Sequence, residues 1–469
     1  MENEFDIFDN NSTDNNDGND GKKIDDAGIY FTLNLAYAPL QNSIYLPDYK
    51  SNPLDPWLYT AFFQYKKYFE IGKTGGLNVS LGMHNTNKNR NITMQLLRGY
   101  GAAGIFENSM PGFSNNVSFT KFMLYELSGD FNIKDKVFME VGVLPLLQGN
   151  SFYKNPVSFF ERYFSNRQYF QEYTAFSSPG LSVEFAGDLF SGKLLYTPAM
   201  STAHTQNTAS EYSYNLTDYL GYTIDEHVLM FKNSFHVSPV FADIYFFSST
   251  TNTNNPFYFG AGTEVVWNIT NSLGISGQFI YSNGIETNHV VKNSSGGENY
   301  YSVEPLPGST DKYYPESFLS VAFSGIRNYE ISLSYYYNGR GFSDQQYNKV
   351  IQGLHTAKKG LNSSNAVVSL ASQNYYYDIL GIYDPFAMTR NYIFLNITNV
   401  KDLDIWTWGI TPFFSVKDFS FMLTGYANWI INSSMTIYVQ TTWNIGSPET
   451  VFGESLFQKN ITGGVEWKF

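Results

Sequence analysis

The sequence predicts an all-β chain, a transmembrane antiparallel up-and-down β-barrel of about 18 strands behind an acidic tail. Three observations predict it. From residue 28 onward, apolar and polar residues alternate with a period of two, the signature of a strand with two different faces. The connections between these runs alternate between short and long. The composition replaces charge with aromatic and small polar residues: 18% of the 469 residues are aromatic and 15% charged, where soluble domains carry roughly 25% charge.

Residues 1–27 differ in composition from the rest. They hold nine Asp/Glu against Lys22 and Lys23, a balance of −7 within the net −13, and too few apolar residues to form a core. Disorder is the expectation for this tail, and residues 28–469 are assigned to the barrel. The first run, Gly28–Tyr37, sets Ile29, Phe31, Leu33, Leu35 and Tyr37 against Tyr30, Thr32, Asn34 and Ala36. The same alternation recurs near 57–71, 77–84, 117–131, 137–146, 227–237, 259–269, 274–283, 316–326, 329–337 and 390–400. Ser434–Ile445 then sets Met435, Ile437, Val439, Thr441, Trp443 and Ile445 against polar partners, and Asn460–Phe469 closes the chain in the same way.

Short connections are expected at 72–76, 132–136, 187–192, 238–239, 270–272, 327–328, 401–404 and 432–433. Long polar ones are expected at 38–56, 85–116, 147–178, 197–226, 284–315, 338–389 and 446–459, while 249–258 and 416–418 are short members of the long set. A soluble sandwich would show similar connections at both ends of its sheets, and no repeat of blade length suggests a propeller. Aromatics gather towards strand ends, at Trp57 and Tyr59, Tyr335 and Tyr337, Trp406 and Trp408, Trp429, Trp443, Trp467 and Phe469. Amphipathic rings favour the membrane–water interface, so they are assigned to two girdles in contact with lipid.

Several classes are excluded. There is no cysteine, hence no disulfide scaffold and no thiol chemistry. With 29 Lys+Arg against 42 Asp+Glu, phosphate neutralisation and nucleic-acid binding are not expected. No apolar run approaches the roughly 18 residues of a spanning helix. The six histidines, His84, His204, His227, His236, His289 and His355, lack metal-ligand spacing, and the tail fits no calcium loop. Neither a metal nor a cofactor is expected. His236 shares a strand face with Ser234, but no nucleophile elbow accompanies them, and an enzyme is not expected.

The closing strand, Ile461-Thr462-Gly463-Gly464-Val465-Glu466-Trp467-Lys468-Phe469, resembles the C-terminal assembly signal of bacterial outer-membrane barrels. Residues 28–469 are similar to such barrels of the porin kind. The resemblance implies short periplasmic turns, long extracellular loops, insertion by the outer-membrane assembly machinery, and contact with membrane lipid. It also implies export with a leader. The start, MENEFDIFDNN, shows no basic or apolar signal region, so Met1 is read as the start of a chain whose leader has been removed.

If the apolar faces meet lipid, Glu126, Glu140, Glu184, Glu264, Glu330 and Glu466 project inward with Lys193, Lys232, Arg390 and Lys468. Two readings stand: an acidic pore favouring cations, or wall contacts in which these groups pair with one another. The aromatic segment Pro156–Phe176 is the candidate constriction, with Glu161, Arg162 and Arg167 at the narrow zone. The loop 338–389, with Tyr375–Tyr377, Asp378 and Asp384, is assigned to a cap or a partner surface. Inward Tyr30, Tyr336, Tyr392, Phe394, Tyr426 and Tyr438 admit a carbohydrate track. The leading expectation is a passive channel for small hydrophilic solutes. The alternative is a plugged barrel that anchors an envelope assembly (secretion, surface display or motility) and meets protein partners through its loops or acidic tail.

Overall fold

A computed structural model of the chain describes residues 28–37, 57–86, 119–145, 177–198, 226–251, 258–283, 287–382, 388–399, 405–454 and 459–469, apart from turn positions 73, 134–135, 188, 310 and 327. The tail, Pro156–Phe176 with Glu161, Arg162 and Arg167, and Asp384 lie outside the described residues. Twenty strands are described, and eighteen of them form one antiparallel sheet.

The chain begins with β1 (Gly28–Tyr37), β2 (Trp57–Ile71), β3 (Gly75–Thr86), β4 (Phe119–Ile133), β5 (Val137–Pro145) and β6 (Ser177–Ala186). It continues with β7 (Phe190–Thr197), β8 (Glu226–Val237), β9 (Val240–Thr251), β10 (Tyr258–Thr270) and β11 (Leu273–Ser282). After an inserted hairpin come β14 (Tyr314–Ile326), β15 (Tyr329–Asn338), β16 (Asn391–Asn399), β17 (Trp406–Ser415), β18 (Phe421–Asn432), β19 (Met435–Ile445) and β20 (Lys459–Lys468). Each strand pairs with its barrel neighbours, and β20 returns to β1 in register Tyr30↔Lys468 to Tyr37↔Ile461. The sheet therefore closes and leaves no edge. The strand number and the short–long rhythm of the connections agree with the sequence expectation. Both ends of the described barrel, Gly28 and Phe469, lie at the short-turn end.

Two long connections carry secondary structure that the sequence reading did not assign to them. Between β11 and β14 a separate two-stranded hairpin forms from β12 (Asn288–Ser295) and β13 (Glu298–Pro305). Between β15 and β16 lie two helices, α1 (Asp344–Gly360) and α2 (Ala366–Ile382). The start of α1 is fixed locally: Ser343 accepts from the Gln346 amide, Asp344 sits in the first turn, and Lys358 and Lys359 sit in the last. Tyr347, Val350, Ile351, Leu354 and Ala357 fall on one buried face at helical spacing.

Candidate channel lumen and its loop-side shelf

The two faces of the wall differ as a membrane requires. Leu33 and Leu35 on β1, Leu81 and Met83 on β3, Leu319 and Val321 on β14, and Leu333 on β15 stand exposed on the outside. The alternate positions face inward and are small and polar: Thr32, Ser80, Ser128, Ser182, Ser234, Ser320, Ser334 and Thr411. Trp406, Trp429, Trp467 and Phe469 stand exposed on the outer face at the short-turn end, and Trp443 near the loop end. Trp406 stacks on Trp429 at 5.3 Å between ring centres, and Trp467 on Phe469 at 4.9 Å. Trp408 is half-buried against Tyr329. Trp57 begins β2, and its side chain is outside the described residues. Trp267 also stands exposed on the outer face, on the apolar side of the alternating run of β10 near its short-turn end, which is the signal that would have found it.

Inside, the structure places Glu126, Glu140, Glu184, Glu264, Glu330, Glu466, Lys193 and Lys232 on the lumen side of their strands. They do not form one ring. Ser128 Oγ lies 2.8 Å from Glu140 Oε1 and 3.2 Å from Glu126 Oε1, and Tyr68 Oη donates to Asp130 Oδ2 at 3.3 Å. Three carboxylates, those of Glu126, Asp130 and Glu140, thus share one patch of β4 and β5. Further round, the charges pair. Glu184 meets Lys193 at 3.7 Å, and Lys232 meets Asp243 at 2.8 Å. Glu264 is 7% exposed and accepts from Tyr245 Oη at 3.3 Å, so its carboxylate is wall structure. Arg390 precedes β16 instead of standing on it, and its Nε donates to Gly341 O at 2.9 Å, tying the exit of α2 to the entry of α1. The sequence reading missed Asp130, Asp243 and the buried pair Arg340–Glu316.

The inserted elements form a shelf against the inner wall. Tyr347, Val350 and Leu354 of α1 and Tyr375, Tyr376 and Ile379 of α2 pack with Val290 and Tyr301 of the hairpin. The same core takes in Tyr336, Tyr392, Phe394, Phe413 and Met422 from the lumen side of β15–β18, and Val451 and Phe452 from the β19–β20 connection. Phe394 is the fourth residue of β16 from its loop end, so the core reaches roughly 10 Å along the strand. This corrects the carbohydrate-track expectation at Tyr336, Tyr392 and Phe394, whose rings lie under the shelf. Tyr30, Tyr426 and Tyr438 remain inner-face positions outside that core.

Polar contacts fix the rim of the shelf. Arg340 Nη2 meets Glu316 Oε1 at 3.2 Å and donates to Ser282 Oγ at 2.8 Å, while Tyr336 Oη donates to Glu316 at 3.3 Å. Ser282 and Glu316 flank the inserted hairpin and Tyr336 and Arg340 precede α1, so one buried cluster clamps both insertions at their base. On the far side, Lys417 Nζ donates to Asp344 O at 2.9 Å and Asn348 Oδ1 at 3.1 Å and lies 4.4 Å from the centre of the Tyr347 ring. Burial pulls the Lys417 ammonium below its ordinary value, against the opposing pull of Asp344 and Asp418. His355 Nε2 lies 2.8 Å from Glu449 Oε1, Asp418 accepts from the Val451 amide at 2.7 Å, and Ser420 accepts from the Phe452 amide at 3.1 Å.

Magnitude decides which of these holds the shelf. Each fully buried aliphatic or aromatic side chain contributes roughly 1.5–3 kcal/mol, whereas an exposed ion pair such as His355–Glu449 contributes at most about 1 kcal/mol. The apolar core fixes the shelf, and the exposed contacts orient its edge.

A closed 18-stranded barrel with an apolar outer face, aromatic belts and a polar inner face has the architecture of a transmembrane β-barrel, the fold that porins share. Among solved structures the chain is similar to Acinetobacter baumannii OccAB4, at 8% identity and a TM-score of 0.50, over 95% of this chain and 98% of that one. It is also similar to OccAB3 of the same organism, at 11% identity and 0.49 over 95% and 99%. A mutant of the Rh. blastica porin aligns at 8% identity and 0.38 over 95% and 100%. At 8% identity the likeness to OccAB4 speaks for the fold alone. No protein-family model and no curated protein matches the sequence.

Proposed function

We propose that the chain is a channel of the bacterial outer membrane that passes small hydrophilic solutes, with a preference for cations. One observation carries the reading: a closed wall that is apolar outside and lined inside by hydroxyls, amides and charges. Such a lumen hydrates, and solutes cross it without meeting lipid. The shelf narrows it on the loop side along β15–β18, leaving the charged wall of β2–β10 opposite.

The cation preference rests on Glu126, Asp130 and Glu140, three carboxylates that gather on one patch of the inner wall beside the single ammonium of Lys66. Single-channel conductance in planar bilayers, with the reversal potential under a KCl gradient, tests both statements. A steady conductance with cation selectivity is expected, weakened in Glu126→Gln and Glu140→Gln and unchanged in Glu264→Gln, whose carboxylate is buried. A silent bilayer would overturn the open channel and turn attention to a plugged anchor and its protein partners.

A further inference from the structure

On the apolar outer wall one amide is out of place. Asn233 on β8 has the outward parity of Leu229, Phe231 and Phe235. Its row runs from Gly192 on β7 through Asn233 to Ile244 on β9 and Thr263 on β10. Val237, four residues nearer the short turn, is level with Trp267, and His227, six residues the other way, meets the Tyr196 hydroxyl near the loop end. At roughly 3.3 Å per residue and a tilt near 40°, Asn233 lies about 10 Å into the apolar band from the Trp267 belt. Among the described side chains, the other outward amides, Asn391 and Asn399, stand at the two ends of β16.

An amide facing hydrocarbon forfeits the hydrogen bonds that water would supply, and it is costly there unless another polar group meets it. Thr263, in the same row, is satisfied within its own barrel, because its hydroxyl donates to Asp243 O at 2.9 Å. Asn233 has no such partner among the described residues. Its Oδ1 leans over Gly192, where an added Cβ would lie 3.5 Å from it, so the glycine leaves a hollow beside the amide. Phenylalanines ring this spot. Phe231 and Phe235 flank Asn233 on β8, each 40% exposed, and the Phe190 ring lies 5.5 Å from Phe235 and 6.3 Å from Phe185.

We propose that the outer face of β7–β9 is a contact with a second copy of this chain, centred on Asn233 and related by a two-fold axis along the membrane normal. The proposal rests on the lipid-facing assignment of the outer wall. Two copies inserted the same way meet at equal height, so Asn233 faces the partner's Asn233. An amide both donates and accepts, so two of them close a reciprocal pair of N–H···O bonds. Lipid headgroups lie at the belts, and an acyl chain offers neither donor nor acceptor. The phenylalanines gain little by exchanging lipid for protein, so the amide pair and close packing over the Gly192 hollow supply the preference.

Sedimentation equilibrium of the full chain in density-matched detergent micelles reads the association. A monomer–dimer equilibrium is expected for the unaltered chain. Asn233→Leu is expected to raise the dissociation constant about tenfold, whereas Asn233→Gln should retain association. Val439→Ala, on the outer face of β19 across the barrel, should leave it unchanged. The chain has no cysteine, so Asn233→Cys and Val439→Cys each install one thiol for cross-linking in reconstituted vesicles. Copper–phenanthroline oxidation is expected to join copies through position 233 and not through position 439. Heat-modified mobility on gels verifies that each variant is folded. A monomeric unaltered chain, an unchanged dissociation constant in Asn233→Leu, or equal cross-linking at the two positions overturns the proposal. None of these readouts depends on conduction, so failure of the dimer and failure of the channel reading are told apart.

Discussion

At the scale of the residue, close packing on the wall depends on glycines opposite rings. The Tyr426 ring lies across Gly409, so that a Cβ there would meet the ring and the Thr398 methyl. Gly409→Ala must displace Tyr426, and overpacking of this kind costs roughly 1–3 kcal/mol; the fall should appear as a lower urea midpoint in a gel-shift unfolding assay. The Arg340–Glu316 pair shows the other residue-level rule. Both side chains are nearly buried, at 14% and 5% exposure. Arg340→Ala leaves a buried carboxylate without its cation and is expected to cost about 3–5 kcal/mol, whereas the double change Arg340→Met with Glu316→Leu should cost less. The same assay on the two variants checks that order.

Among the described residues, the shelf is an element that packs inside the barrel, against the lumen side of β15–β18. Its helices approach closely because Gly353 leaves room for Tyr375, whose hydroxyl donates to Val350 O at 3.1 Å. Replacing residues 343–388 by a short Gly-Ser linker should raise single-channel conductance, while Lys417→Met, which removes only an edge contact, should leave it nearly unchanged. Acid dependence enters through Asp378 on α2, whose carboxyl burial pushes up. A carboxyl raised in the folded state is favoured protonated, so its contribution is present at low pH and is lost as pH rises through the raised value. Asp378→Asn should therefore stabilise the shelf at neutral pH, with the gain disappearing on acidification, as read by thermal melting at both conditions.

At the scale of the whole molecule, the barrel is inverted relative to a soluble domain, and the seven tryptophans report it. Trp267, Trp406, Trp429, Trp443 and Trp467 stand exposed on the outer face, so brominated lipids in reconstituted vesicles should quench most of the tryptophan emission; weak quenching would contradict the lipid-facing assignment. The strand set was legible because each strand carries its own two-faced pattern, readable from Gly28–Tyr37 to Ile461–Phe469 without knowledge of any partner. The lumen side of Glu126, Glu140, Glu184 and Lys193 followed from the same period. The helix α1 was legible in principle, since Ser343, Gln346 and the spacing Tyr347–Val350–Leu354 mark it, but those residues sit inside a polar stretch and the dominant period-two signal overshadowed them. The sequence alone determined the closed two-faced wall, because alternation is local and a barrel repeats it strand by strand. Only the tertiary structure decided which long connection folds inward, that Glu264 and Tyr392 are covered, and that Lys232 neutralises Asp243. Those outcomes depend on contacts between residues far apart in the chain, where loop closure and burial, not local period, choose the partner.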